Sequence, residues 1–148
     1  MFAIKLSTIL VAAGSLACVF ANGPLPPPLP AGWTLRSSCQ ILNSASTLDE
    51  TWYGFDFTPA SCASYCEGSP RPQPFVYAGV ASTGTGTPHT TCHCGYSGSY
   101  NAALSTPALE SECNSPCDGN SALICGGVDR ITIFSKVPAP APALPAGW

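Results

Sequence analysis

Charged residues, and basic residues above all, are scarce in this chain. Lysine and arginine together number 5 and the acidic residues number 8, so that charged side chains make up only 9% of the sequence. No segment carries the cluster of basic side chains that contact with a phosphate backbone or an anionic membrane surface requires. We therefore expect no nucleic-acid partner.

Long apolar runs are missing as well. The main apolar stretch, Ile9–Phe20, is shorter than the roughly 20 residues that a membrane-spanning helix needs. It follows Lys5, and the small residues Val19 and Ala21 occupy the positions that a signal peptidase recognises. Residues 1–21 are therefore predicted to be a cleaved signal peptide rather than a permanent anchor. We expect the mature chain to be secreted without a membrane anchor.

Recognisable catalytic motifs are the third absence. Glycosidases need two opposed carboxylates, and none of the acidic residues stands in such a motif; a Ser/His/Asp order and a phosphate-binding glycine loop are also missing. His89, Cys92, His93 and Cys94 are close enough in sequence to suggest metal ligands. In an oxidising compartment, however, thiols form disulfides first. We expect a protein that is not an enzyme and that binds neither a metal nor a cofactor.

Cysteine, by contrast, is abundant. The chain has 9 cysteines, and cleavage of the signal peptide would remove Cys18 and leave eight with the spacing C-x22-C-x3-C-x25-C-x-C-x18-C-x3-C-x7-C. In a secreted chain this short, an even set predicts a disulfide-stabilised domain. We place this domain at residues 32–137, between a proline-rich linker at 22–31 and a Pro/Ala-rich tail at 138–148.

One short sequence occurs twice. Leu29–Trp33 and Leu144–Trp148 both have the sequence LPAGW, and the first copy leads directly into the cysteine-rich domain. A five-residue match that includes tryptophan favours shared ancestry with a tandem-domain protein over coincidence in a tail rich in proline and alanine.

Local patterns predict one helix and one strand that carry four of the cysteines. Thr58 and Pro59 are typical of the N-cap and the first position of a helix, one face of which would carry Cys62 and Cys66. Residues 90–94 are predicted to form a strand with two cysteines on one face. Two cysteines on each element favour a pair of disulfides between them, in either the direct or the crossed arrangement.

Two further segments, Phe75–Val80 and Ile131–Phe134, are predicted to be strands because they are rich in β-branched and aromatic residues. Their aromatic residues Tyr77 and Phe134 are assigned to the core. The stretch around Trp52, in contrast, has turn character.

The remaining four cysteines are assigned from their positions along the chain. Cys117 and Cys125 flank turn-forming residues at 118–120 and are predicted to close one short loop. This leaves Cys39 with Cys113, a bond that would close a long loop and stabilise the domain by about 4 kcal/mol.

Taken together, the cysteine spacing and the motifs around it resemble the WSC domain, a module of fungal cell-wall sensors, some fungal extracellular enzymes and animal kremen-type receptors. The matching segments are Gly32-Trp33 with Cys39, the helix with Thr58, Cys62 and Cys66, the strand at 76–80, and residues 92–95, 113–120 and 125–134. The resemblance covers residues 32–137 and all eight cysteines of the mature chain.

This resemblance implies a small disulfide-rich α+β fold of the PAN/apple type, in which an antiparallel sheet packs on one short helix. It also implies the four disulfides Cys39–Cys113, Cys62–Cys92, Cys66–Cys94 and Cys117–Cys125. For function, it implies a secreted, cell-wall-associated protein of fungal type that binds cell-wall polysaccharide such as β-glucan without catalysis. Other wall proteins are further candidate partners.

Aromatic residues in loops are the candidate sugar-binding groups. The apolar faces of sugars stack on exposed aromatic rings, while neutral polar groups bind the hydroxyls. The residues predicted to form this site are Trp52, Tyr53, Tyr96, Tyr100 and Asn101. The alternative is a structural or protein-interaction module at the cell surface without a sugar site, which buried aromatic residues would favour.

Overall fold

In the computed structural model, residues 28–43 and 48–137 form one antiparallel sheet with one α-helix packed on it. The elements in chain order are β1 (Trp33–Ile41), β2 (Glu50–Tyr53), α1 (Pro59–Gly68), β3 (Tyr77–Ser82), β4 (Thr90–Gly95), a single 3-10 turn (Glu110–Glu112) and β5 (Arg130–Lys136). The strand order is β1-β5-β3-β4-β2, so β1 and β2 are the two edges. This is the expected small disulfide-rich α+β fold.

Parts of the chain that the sequence assigns to processing or linkage lie outside the described residues. They are the predicted signal peptide, most of the predicted linker and the C-terminal tail with the second LPAGW. Within the described residues, no helix is long enough and apolar enough to cross a bilayer.

The helix begins where the sequence predicts. The Thr58 hydroxyl accepts a hydrogen bond from the Ser61 amide at 3.1 Å, and the Ser61 hydroxyl accepts one from the Thr58 amide at 2.8 Å. This reciprocal capping box, with Pro59 at the first helical position, satisfies donors that a helix start leaves unpaired. A helix of 10 residues is marginal by itself, so α1 depends on its contacts with the sheet.

Disulfides provide the closest of those contacts. Cys62–Cys92 and Cys66–Cys94 join α1 to β4 with Cα–Cα distances of 5.5 and 5.4 Å, so the direct arrangement forms rather than the crossed one. Cys39–Cys113 links residues 74 positions apart, and Cys117–Cys125 closes a short loop. These are the four pairs that the family resemblance implies.

The sheet has a buried cluster on each face. On the face that α1 covers, the cluster includes Val80 and Phe134 together with the disulfides of α1. On the far face, Leu48, Tyr100, Ala81, Ile131 and Ile133 form a second, smaller cluster. Phe134 is therefore in the core as predicted, whereas Tyr77 is half-buried and packs against the edge of the second cluster.

Both predicted strands form, but their first and last residues differ from the prediction. The segment predicted at 75–80 forms a strand at Tyr77–Ser82, and the segment predicted at 131–134 extends to Arg130–Lys136. The two edge strands were not predicted. The prediction of turn character around Trp52 is wrong, because Glu50–Tyr53 pairs with β4 as the edge strand β2.

The first LPAGW is part of the folded domain. Leu29 packs against the helix-side core, and the Trp33 amide donates to the Pro30 carbonyl at 3.1 Å across a turn with Gly32 at φ +83°. Trp33 is buried, and its indole nitrogen donates to a Glu67 carboxylate oxygen at 3.1 Å. Leu29 and Pro30, which the sequence assigns to the linker, therefore contact the folded domain.

Candidate functional site

The edge strand β2 presents its side chains alternately to the two faces of the sheet. Trp52 lies opposite Cys92, whose side chain is bonded to the helix, and Tyr53 lies opposite Thr91. Because successive side chains of a strand point to opposite faces, Trp52 and Tyr53 are on different sides of the sheet. The two residues therefore cannot form the single site that the sequence analysis predicts for them.

On the helix side, Trp52 belongs to a group of aromatic rings that we call the aromatic patch: Trp52, Phe57 and Tyr65. The Trp52 and Tyr65 ring centroids are 5.3 Å apart with an interplanar angle of 61°, and those of Phe57 and Tyr65 are 5.8 Å apart at 75°. Trp52 and Tyr65 are each 37% exposed, and Phe55 projects from the turn beside them. The patch is a set of edge-to-face rings that is partly open to solvent.

Tyr65 is the residue of the patch that the sequence prediction missed. It lies three residues after Cys62 and one before Cys66, at the border of the helix face that the two disulfides bury. That position is the available signal, because a side chain there is half-covered by the sheet edge and half-open. Its contact with Trp52 depends on the position of β2, which the local sequence does not reveal.

A polar pair stands next to Trp52. Glu50 is two residues before Trp52 on the same face of β2, and its carboxylate forms an ion pair with the Arg71 guanidinium at 2.7 Å. The pair is partly exposed, so both groups retain hydrogen-bonding capacity toward solvent. A charged pair therefore lies on the same side of the sheet as the aromatic patch.

Tyr96 and Asn101 lie apart from the aromatic patch. Tyr96 is half-buried and stacks on Phe75, with ring centroids 4.5 Å apart, as an outer layer of the helix-side core. Asn101 is exposed, and its side-chain oxygen accepts a hydrogen bond from the Ala103 amide at 3.0 Å. This bond is a turn-forming contact, which accounts for asparagine at this position.

Tyr100 is not at the surface. It is only 7% exposed and contacts Tyr77 edge-to-face, and its hydroxyl accepts a hydrogen bond from the Gln40 amide nitrogen at 2.7 Å. The expectation that Tyr100, as an aromatic residue in a loop, is exposed to a sugar ligand is wrong. The loop folds back over the far face of the sheet, where an aromatic ring is needed to cover Ile131 and Ile133.

The far face also carries an open groove with a volume of about 310 Å³. Its lining residues are Leu42, Thr51, Tyr53, Ala81, Ser82, Thr83, Thr91, His93 and Asp129. The floor is a chain of polar contacts: the two ring nitrogens of His93 lie 3.0 Å from the Thr51 hydroxyl and 2.9 Å from the Thr91 hydroxyl. Tyr53, which is 66% exposed, stands at the rim.

His93 is uncharged under ordinary conditions. It points away from the cysteines on either side of it, as the strand prediction requires, and is 4% exposed. Loss of hydration on burial lowers the pKa of His93 from 6.5 to about 4. The groove floor therefore presents a neutral imidazole between two hydroxyls.

The clusters that could suggest a metal site or catalysis have structural roles. The sulfurs of Cys62, Cys66 and Cys92 lie within 4.8 Å of one another, but all three are oxidised in disulfides and offer no thiolate to an ion. Several carboxylates are engaged in pairs. Hydrogen bonds from Lys136 and the Trp33 indole lower the pKa of Glu67, for example, although the group is largely exposed.

Asp118 has a similar structural role near the start of β4. Its carboxylate accepts hydrogen bonds from the amides of His89 and Thr90 at 2.8 and 2.7 Å, and one oxygen lies 2.7 Å from the His89 ring. The Asp118 amide in turn donates a hydrogen bond to the Thr90 hydroxyl at 2.8 Å. These contacts hold the short disulfide loop against the strand.

The cysteine framework on these elements coincides with a known family. The family model described as WSC domain matches residues 37–127. The chain belongs to the WSC domain family. Its matched range runs from β1 through the short disulfide loop to the residues just before β5.

Relatives of this chain come from Arthroderma benhamiae and Chaetomium globosum. A WSC domain-containing protein of Arthroderma benhamiae is 33% identical over 116 residues, which are 76% of this chain and 13% of that protein. A candidate fungistatic metabolite of Chaetomium globosum is 32% identical over 82 residues, 55% of this chain and 31% of that protein. This chain thus spans less than a third of the length of either relative.

Proposed function

We propose that this WSC domain is a secreted, non-catalytic carbohydrate-binding module for a fungal cell-wall polysaccharide of the β-glucan type. The aromatic patch is the observation that carries this proposal. Trp52 and Tyr65 expose part of their ring surface at the edge of the sheet, which is where a polymer would approach them. Pyranose rings bind aromatic faces through their axial C–H groups, and no charge on the ligand is needed.

The shape of the patch suits a single sugar ring better than an extended ribbon of rings. Because Trp52 and Tyr65 meet at 61°, a pyranose lying on the indole face would have the phenol beside it. Glu50 and Arg71 are then positioned to accept and donate hydrogen bonds to the hydroxyls of that sugar. Aromatic stacking with a few polar contacts is the general pattern of small-ligand sites on proteins.

A single aromatic patch of this size gives weak binding. Ordering a sugar costs free energy that a small contact area offsets only in part, so retention on a wall would rely on many repeated sites in the polymer. An insoluble polysaccharide, which offers such repeats at high local density, is therefore the appropriate test ligand.

The test is a pull-down of the secreted mature chain on insoluble β-glucan, chitin and cellulose. We expect retention of the wild type on β-glucan, with Trp52→Ala and Tyr65→Ala each reducing the bound fraction severalfold. Both side chains are already exposed by about a third, and the four disulfides are left in place, so the fold should survive. Intact disulfides and unchanged circular dichroism would verify this.

Leu35→Ala provides the matched control for non-specific adsorption. Leu35 is an exposed apolar side chain on β1, the opposite edge of the sheet from Trp52. Its removal should leave retention unchanged. If the wild type stays in the supernatant on all three matrices, carbohydrate binding by the single domain fails, and a protein-interaction module that uses the exposed Phe55 and Tyr53 becomes the better account.

A further inference from the structure

The groove beneath Tyr53 is separate from the aromatic patch, on the opposite face of the sheet. We propose that it is a second carbohydrate-binding site, which holds one neutral pyranose unit by accepting hydrogen bonds from its hydroxyl groups. This inference rests on the proposed function, since it adds a second site for the same class of ligand. Three features of the groove support it: the direction of its hydrogen bonds, its charge and its size.

The direction of the hydrogen bonds follows from the buried end of the polar chain. The Thr91 hydroxyl donates its only proton to the Ala81 carbonyl at 3.2 Å, so it must accept from the neighbouring nitrogen Nε2 of His93. Nε2 then carries the imidazole proton, and Nδ1 is the acceptor. The Thr51 hydroxyl must therefore donate to Nδ1, which leaves its oxygen as an acceptor for a ligand.

Other groups around the groove are also hydrogen-bond acceptors. The Thr83 hydroxyl donates to the Thr85 carbonyl at 3.0 Å, so its oxygen is also left to accept. Asp129 contributes a carboxylate, which can accept from two adjacent hydroxyl groups. A set of acceptors matches a ligand rich in O–H donors, and neutral sugars are such ligands.

The charge of the groove disfavours ionic ligands. His93 stays neutral because it is desolvated, and Asp129 repels anions. The nearby Arg130 guanidinium, which pairs with Glu112 and is also attracted by Asp129, partly offsets the negative charge of the Asp129 carboxylate and weakens its attraction for a cation. A neutral polyol avoids both costs.

The volume of about 310 Å³ limits how much ligand can enter. It lies at the lower end of the range for small-molecule sites, roughly 300–1,000 Å³, and therefore suits one sugar unit rather than a chain. Tyr53 at the rim supplies the exposed ring on which that unit would stack. Because Trp52 serves the other face, one domain could hold two separate polysaccharide segments.

The test is a titration of the isotope-labelled mature chain with a soluble β-1,3-linked glucose trisaccharide, followed by amide chemical shifts. We expect saturable shifts in two groups of amides: a groove group around Thr83 and Asp129, and a patch group around Tyr65 and Arg71. Tyr53→Ala and Asp129→Asn should each raise the dissociation constant reported by the groove group about tenfold, the effect of losing one good stacking or charge-assisted contact. Neither change should affect the dissociation constant reported by the patch group.

Trp52→Ala is the reciprocal control and should remove only the shifts of the patch group. Asparagine tolerates the φ of +54° at position 129, so Asp129→Asn changes the charge without straining the backbone. Shifts confined to the patch group would overturn the groove site and leave the proposed function standing. The same conclusion follows if the groove group reports the same dissociation constant in Asp129→Asn, Tyr53→Ala and the wild type.

If neither group of amides shifts, the proposal that the groove binds neutral glucose units is refuted. The proposed function would then be judged by retention on the insoluble matrices alone, so the two ideas can fail separately.

Discussion

Acid should destabilise this domain mainly through His93. The imidazole is 4% exposed and both of its nitrogens are hydrogen-bonded to hydroxyl groups, so protonation would place a charge in a site without a counter-ion among its hydrogen-bond partners. Burial lowers the pKa of His93 from 6.5 to about 4 in the folded chain. The unfolded chain, in contrast, binds a proton near pH 6.5.

The sign of the effect follows from which state binds the proton first. Below pH 6.5 the unfolded state gains a proton that the folded state does not accept, so the free energy of unfolding falls as the pH is lowered from 6.5 to about 4. The two pKa values differ by about 2.5, and each pH unit corresponds to about 1.4 kcal/mol, which makes the full loss about 3 kcal/mol. Above pH 6.5 this contribution is constant.

The assay is chemical denaturation with the disulfides intact, at several pH values between 7.5 and 4. The chain has two histidines, which supply the variant and its control. The stability of His93→Gln should be lower than that of the wild type at pH 7.5, and the gap should close by about 3 kcal/mol toward pH 4. In His89→Gln, the free energy of unfolding should still fall toward pH 4 by the amount that His93 causes in the wild type. Parallel curves for the wild type and His93→Gln over the whole range would refute the reasoning.

Two further predictions concern covalent and steric constraints. Replacing Cys39 and Cys113 by alanine should lower the free energy of unfolding by about 4 kcal/mol, because their bond closes a loop of 74 residues; an unchanged denaturation midpoint would contradict this. A methyl group at Gly119 would overlap the Asp56 carbonyl, so Gly119→Ala should destabilise by about 1–3 kcal/mol. At Gly68 the space is open and the backbone helical, so Gly68→Ala should be neutral or stabilising by up to about 1 kcal/mol in thermal unfolding.

Features with a short-range cause could be predicted from the sequence. The start of α1 depends on hydrogen bonds between Thr58 and Ser61, and these lie within one turn of the chain. The strand that carries Cys92 and Cys94 was predicted because alternation along a strand is a local property. The disulfide pairs were open to two arrangements from local geometry, and the family resemblance selected one of them.

The candidate site was predicted only in part, because exposure depends on contacts between distant segments. Trp52 is at the surface as expected, but its partner in the aromatic patch is Tyr65 on the helix and not Tyr53 beside it. Tyr100 was assigned to the surface from its loop composition, yet that loop folds over the second core. The groove joins residues from β2, β3, β4 and the turn before β5, and no local pattern connects them.

By itself, the amino-acid sequence determined the cysteine framework, the helix start, the family and the scarcity of charged residues. Only the tertiary structure decided which aromatic rings meet and which are buried. The reason is the pairing of β2 with β4: once Trp52 lies opposite Cys92, alternation assigns Trp52 to the helix side and Tyr53 to the groove. A strand's register is set by its partner, and that partner lies some 40 residues further along the chain.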